Sequence, residues 1–138
     1  MNDYEKWKEL FPLLKGAYKK LRTEWYKGID DSFSINQTRM LSILGRQNPV
    51  KSTDLAEMLQ ITPGAVTLMG DKLCERGLIH RKRGAEDKRV VYVEITEHGK
   101  QYEDTFKHND EAIIRYIGER ISEEDLEHLK RIFTLLNE

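Results

Sequence analysis

Between Trp7 and Trp25 the apolar positions Trp7, Phe11, Leu14, Tyr18, Leu21 and Trp25 recur at spacings of four, three, four, three and four residues. A stripe of that period lies along one side of a helix and is narrow enough to form a seam with another helix. Pro12 falls inside it, and because a proline deep in a helix costs ~3 kcal/mol, a kink there or a main helix starting near it is expected. Tyr102, Phe106, Asn109, Ile113 and Ile117 form a second stripe, and Leu126, Leu129, Phe133 and Leu136 a third, the latter opened by Ser122 and Asp125 at capping-box spacing. Any single stripe suits packing within one subunit. Stripes at both ends of one chain favour an interface shared between subunits.

Between those ends the signals become local. Ser34-Ile35-Asn36-Gln37 is a capping box opening a helix through Met40, Leu41 and Leu44, which Asn48-Pro49 stops. A second helix starts at Ser52, carries Asp54 in its first turn and buries Leu55, Ala56 and Leu59. A third takes Thr62 as N-cap and Pro63 as its first residue, and ends where Gly77 can adopt a left-handed conformation. Only Gln60 and Ile61 separate the two, and Val66, Met69 and Leu73 turn an inward face toward Leu55 and Leu59, so the pair reads as a helix-turn-helix.

After Gly77 the period changes to two, with Val91, Val93 and Ile95 on one face and Val90, Tyr92 and Glu94 on the other. Ile79 to Arg83 is the partner strand, the Gly84 to Lys88 connection contains the glycine a hairpin loop needs, and the tip is expected to project into solvent. The fold class expected is mainly α with a small antiparallel β-hairpin wing. Residues 1–138 make one domain in this reading: a winged helix-turn-helix over 34–96, with 51–76 as the helix pair and 78–96 as the wing, flanked by dimerisation helices over 3–30 and 97–138.

Composition narrows the setting. With 38% apolar and 34% charged residues the chain is too apolar to be disordered and too charged for a membrane protein. No apolar run approaches the ~20 residues that span a bilayer, and Met1-Asn2-Asp3-Tyr4-Glu5 lacks the basic-then-apolar order of a signal peptide, so the cytoplasm is the expected address. The single cysteine, Cys74, can form neither an internal disulfide nor a multi-thiolate zinc site, and no structural metal or cofactor is expected.

The net charge of −1 argues against nucleic acid until its distribution is considered. From His80 to Arg89 five cations (Arg81, Lys82, Arg83, Lys88, Arg89) stand against two acids (Glu86, Asp87), while acids collect in Ser122-Glu123-Glu124-Asp125 and from Glu111 to Glu119. Such separation suits a basic reading head on a neutral or acidic body. In a helix-turn-helix the outward side chains of the second helix reach base edges in the major groove; here they are Thr62, Gly64, Ala65, Thr67 and Leu68. Methyl contacts and hydroxyl hydrogen bonds suit these residues better than bidentate guanine recognition. Ser52, Lys72, Arg76 and Lys88 join the DNA-contacting set, Lys72 and Arg76 as phosphate contacts, although a solvated helix face explains those two equally well. Arg83 and Arg89 flank the wing loop, where a guanidinium is drawn to the narrow minor groove. Asp87 repels phosphate, but two residues before Arg89 it can orient that guanidinium, stabilise the hairpin, or both.

These features resemble the MarR family of bacterial transcriptional regulators over nearly the whole chain. Arg83-x-x-x-Asp87-x-Arg89 followed by Ile95-Thr96 is similar to the family's wing signature and its exit into the next helix; Ala65-Val66-Thr67 and Asp71-Lys72-Leu73 resemble its recognition helix. Leu68 departs from the arginine often found after the threonine, and Gly70 weakens the helix by ~1 kcal/mol relative to alanine. The resemblance implies a homodimer with intertwined terminal helices, a palindromic double-stranded operator, and release by a small hydrophobic or phenolic effector, hence a repressor. Tyr18, Trp25, Tyr26, Phe33 and Met40 could line an effector crevice, and they fit core packing as well.

Two other classes fit less well. A winged-helix module that binds protein partners and no DNA has no use for the basic tip. An enzyme finds little support, because His80, His98, His108 and His128 are dispersed without zinc-site spacing, Cys74 has no local base, and there is no phosphate-binding glycine loop.

Overall fold

Ser34 opens the first helix of the central lobe with both halves of a capping box: its Oγ accepts from Gln37 N at 3.1 Å, and its own N–H donates to Gln37 Oε1 at 2.8 Å. In the computed structural model, which describes residues 3–29 and 32–138, that helix is α2 (Ile35–Arg46) and is preceded by α1 (Asp3–Trp25). Strand β1 (Val50–Lys51), helices α3 (Ser52–Leu59) and α4 (Pro63–Glu75), strands β2 (Ile79–Arg83) and β3 (Val91–Ile95), and helices α5 (Glu97–Gly118) and α6 (Glu123–Leu136) follow. The mainly helical class with a small antiparallel sheet is the one the sequence patterns predict.

The hairpin strands coincide with the alternating segments, and β2 pairs with β3 so that Ile79 faces Ile95 and Arg83 faces Val91. The sheet nevertheless has a third strand that periodicity does not reveal, because two residues are too short to alternate. Val50 pairs with Val93 and Lys51 with Tyr92, giving the order β1-β3-β2. Asn48 ties the end of α2 to the same sheet, its Oδ1 accepting from Ile95 N at 3.1 Å. Thr96 then starts α5, accepting from Gly99 N at 3.0 Å and donating to Gly77 O at 2.7 Å.

By backbone packing the chain divides into two compact units, Gly28–Lys107 and Met1–Lys27 with His108–Glu138. The first holds a closed core. Met40, Leu41 and Leu44 of α2, Leu55 and Leu59 of α3, Val66 and Leu73 of α4, Val93 and Ile95 of β3, and Phe106 of α5 are all buried, as are Phe33, Leu78 and Ile79. Of the positions expected to face inward from α4, Val66 and Leu73 are buried and Met69 half-buried. The early turns of α5 belong to this lobe, where Glu103 lies against Gly45 of α2.

The second unit has the opposite character. α1 runs unbroken through Pro12, rather than beginning near it, since only one backbone bond is forfeited and helix-forming residues flank the proline on both sides. Neither α1 nor α6 buries a residue; Trp7 is 68% exposed and Leu136 71%. Asn109, the polar member of the second stripe, is buried for a reason of its own: its Nδ2 donates to Trp25 O at 2.6 Å and Lys27 O at 3.2 Å, satisfying carbonyls left open where α1 ends. Trp25 Nε1 donates to Asp110 Oδ1 at 2.6 Å beside it. At α6, Ser122 Oγ accepts from Asp125 N at 3.1 Å, as the capping spacing predicts.

Candidate nucleic-acid interface

The turn between α3 and α4 is made by Gln60 in the left-handed region (φ 56°, ψ 44°), with Ile61 N bonding back to Ala56 O at 3.1 Å. That closure satisfies the last carbonyls of α3 and leaves Thr62 extended, where its Oγ1 accepts from Ala65 N at 3.1 Å and caps α4. Pro63 occupies the first turn, where no N–H is required. At the other end Gly77 (φ 72°) lets Leu78 N reach Leu73 O at 3.0 Å, so α4 stops sharply before β2.

The outer face of α4 has the composition expected of it. Thr62, Gly64, Thr67 and Lys72 are exposed, Ala65 is half-buried, and Leu68 is 67% exposed. The hydroxyls, however, are engaged within the helix: Thr62 accepts at the cap and Thr67 Oγ1 donates to Pro63 O at 3.1 Å. What this face presents outward is therefore largely methyl and methylene surface, with a lone pair on the Thr67 hydroxyl and an O–H that Thr62 can still donate. That chemistry suits thymine methyls rather than a donor-rich base readout.

The wing is fixed to α4 by a pair that sequence spacing does not show. Arg81 Nη2 of β2 reaches Asp71 Oδ1 of α4 at 2.5 Å, and its guanidinium lies over Gly70, where an added Cβ would stand 3.4 Å from Nη1. An alanine methyl at Gly70 would sit there in ordinary van der Waals contact, so the glycine weakens the helix without being required by the clamp. Beside it runs a groove of about 320 Å³ lined by Ser52, Thr67, Arg81, Lys82, Arg83 and Val91. Ser52, Thr67 and Arg83 of the expected set come together there; Arg81 and Lys82 join them. Lys82 Nζ also lies 3.8 Å from Glu94 Oε1, so Asp71 and Glu94 temper a positive charge that looks larger along the sequence than it is in space.

At the tip, Gly84 N donates to Val90 O at 2.8 Å and Val90 N to Asp87 O at 3.1 Å, while Arg83 Nη1 donates to Lys88 O at 2.9 Å across the loop. Gly84 is required here by space rather than by a left-handed φ, because an added Cβ would lie 2.6 Å from Asp87 O. Asp87 Oδ1 accepts from both Arg89 N (3.0 Å) and Arg89 Nε (3.1 Å), and Oδ2 from Arg89 Nη2 (3.1 Å). Bonds from the Arg89 guanidinium, and then from its backbone N–H, hold the Asp87 carboxyl below its ordinary range. The Arg89 side chain is held in one direction yet stays 91% exposed, and Lys88 beside it is exposed too.

Residues 33–91, which contain the helix pair and most of the wing, match the sequence profile of the MarR family. The uncharacterised HTH-type transcriptional regulator YpoP of Bacillus subtilis is 31% identical over 128 residues, 91% of this chain and 89% of that protein. The chain belongs to the MarR family. Its relatives are named as transcriptional regulators, which makes it a regulator and not an enzyme. FabT of Streptococcus pneumoniae, solved in complex with DNA, has the same fold, with a TM-score of 0.80 at 24% identity over 98% of this chain and 95% of that one. A MepR-like protein complexed with pseudoligands gives a TM-score of 0.69 at 26% identity, covering 99% of this chain and 94% of that chain.

Other expected site residues of this MarR-family chain are placed differently. Arg76 is half-buried, with its guanidinium 4.0 Å from the Phe33 ring centroid and Nη1 donating to Ser32 Oγ at 2.9 Å, away from the groove that gathers Ser52, Thr67 and Arg83. Among the candidates for an effector crevice, Phe33 and Met40 are core residues of the lobe. Tyr18, Trp25 and Tyr26 belong to the other unit, where Tyr18 is exposed and the Trp25 and Tyr26 rings meet edge to face at 5.0 Å. Cys74 is half-buried on α4. No described helix is long and apolar enough to cross a membrane.

Proposed function

We propose that this MarR-family regulator acts as a homodimeric repressor on a palindromic double-stranded operator in the cytoplasm. Two α4 helices enter successive major grooves about 34 Å apart, and the wings reach the flanking minor grooves. One observation carries the DNA reading: Asp87 aims the Arg89 guanidinium outward from a hairpin tip, in a geometry that stores no packing role for it. Ser52, Thr62, Gly64, Ala65, Thr67, Leu68 and Lys72 then line the major-groove side, with Arg83 and Lys88 supporting Arg89 on the other.

The dimer rests on α1, the turns of α5 from His108 onward and α6, whose apolar stripes include Trp7, Phe11, Leu14, Tyr18, Phe133 and Leu136, all exposed in a single chain. A small hydrophobic effector releases the operator in this reading, by analogy with the ligand-bound MepR-like relative; Tyr18, Trp25 and Tyr26 are the aromatics left to meet it once Phe33 and Met40 are assigned to the core. Selecting duplexes from a random pool and titrating them by mobility shift tests the proposal. An enriched palindrome, bound more weakly by Arg89→Ala, is expected. No enrichment, or a salt-insensitive complex with a protein partner instead, would sink it.

A further inference from the structure

Arg76 stands at the last cap of α4, its N–H bonding to Lys72 O at 3.2 Å, in the residue before the Gly77 turn. Two contacts of its side chain bear on how the helix is seated. The guanidinium lies over Phe33 at 4.0 Å and within 5.8 Å of the Tyr102 centroid, while Nη1 donates to Ser32 Oγ at 2.9 Å. Phe33 is 1% exposed and packs at 5.1 Å on Tyr102 and 5.3 Å on Phe106, both from the early turns of α5. Tyr102 in turn meets His98 edge-on at 5.2 Å. The C-terminal end of α4 is thereby tied, through one planar cation, to the segment that precedes α2 and to α5. A guanidinium lays its face on a ring while an in-plane N–H goes to a hydroxyl at its edge; a lysine ammonium, a compact point charge without that planar fork, reproduces the pair less well.

We propose that Arg76 is a positioning residue: it fixes how α4 is seated in the lobe through the Phe33–Tyr102 stack and Ser32, and influences DNA affinity through that seating instead of by touching phosphate. This rests on the DNA reading for its functional consequence, but not for the structural tie.

The test compares Arg76→Lys and Arg76→Gln with wild type in two ways. Amide hydrogen exchange of the free protein is followed over residues 73–78, and affinity for a duplex selected by the wild type is titrated across a salt series. Faster exchange over 73–78 is expected in both variants. Both should also weaken binding by a similar factor, between about twofold and thirtyfold, with the salt slope of the wild type. Ser32→Ala should move both readouts in the same direction by less. Affinity retained by Arg76→Lys, with a salt slope about 0.9 shallower in Arg76→Gln alone, would return Arg76 to phosphate contact and overturn the proposal. Unchanged exchange in both variants overturns it as well. Should the wild type bind no duplex, the DNA reading falls by itself, and the exchange comparison still decides whether Arg76 seats the helix.

Discussion

The lobe of residues 28–107 and the terminal helices draw on the same kinds of apolar residue and end in opposite states. In the lobe, Met40, Leu41, Leu44, Leu55, Leu73 and Leu78 are wholly buried, and the hairpin and helix pair stand on a finished core. In α1 and α6, Phe11, Leu14, Tyr18, Phe133 and Leu136 remain in water, although their spacing is as regular as any in the chain. Apolar area on that scale marks an interaction surface rather than a stable free face. On the proposed dimer the lobe is stable alone and the terminal helices are stable in company, so substitution and dilution should affect the two differently.

The largest effect should come from the terminal seam. Leu14→Glu with Phe133→Glu is expected to convert dimer to monomer in sedimentation and to weaken binding to a two-half-site duplex about a hundredfold or more, because two linked heads become independent. A double variant that sediments and binds like wild type would break the contrast. Next is the core: Leu44→Ala should lose about 2–5 kcal/mol in denaturant unfolding. That loss should not depend on protein concentration, whereas the unfolding midpoint of the terminal unit should rise with it by mass action. A concentration-dependent loss at Leu44 would mean that the lobe, too, needs a partner.

The same division governs how much could be read from sequence. Ser34 with Gln37, Thr62 with Pro63, and Gly77 each settle a helix end by bonds spanning a few residues, and all three appear where their spacing puts them. The hairpin was legible because alternation needs only its own strand. What stayed hidden is non-local or chemically atypical. Gln60 adopts a left-handed turn that glycine or asparagine would have announced. β1 has two residues and exists only by pairing with β3. The Asp71–Arg81 clamp joins a helix to a strand, and Arg76 meets a ring and a hydroxyl more than forty positions upstream, so its charge read as a solvated or phosphate-facing one. Gly84 stands where a hairpin loop calls for a glycine, but its reason is the nearby Asp87 carbonyl, not backbone handedness.

The wing tip tests the contrast most finely, because it belongs to the lobe yet is as exposed as the terminal helices. Arg89→Ala removes the guanidinium and should weaken duplex binding about fivefold to a hundredfold. Asp87→Asn should do less, and differently: it keeps one acceptor for Arg89 but removes the charge that repels phosphate. Affinity for a random duplex should therefore rise slightly while affinity for the selected operator falls a few-fold, narrowing the ratio between them. The sign with pH follows from the depressed carboxyl. A group whose folded value is lowered contributes above its ordinary value and loses that contribution only as pH falls through the lowered one, so Asp87 stays charged between pH 5 and 8. Operator titrations across that window should show no step that Asp87→Asn abolishes. A step that disappears in the variant would mean that Asp87 titrates in that window and is not held down by Arg89, whereas a ratio left unchanged would mean that Asp87 serves the hairpin alone and that Arg89 finds its direction without help.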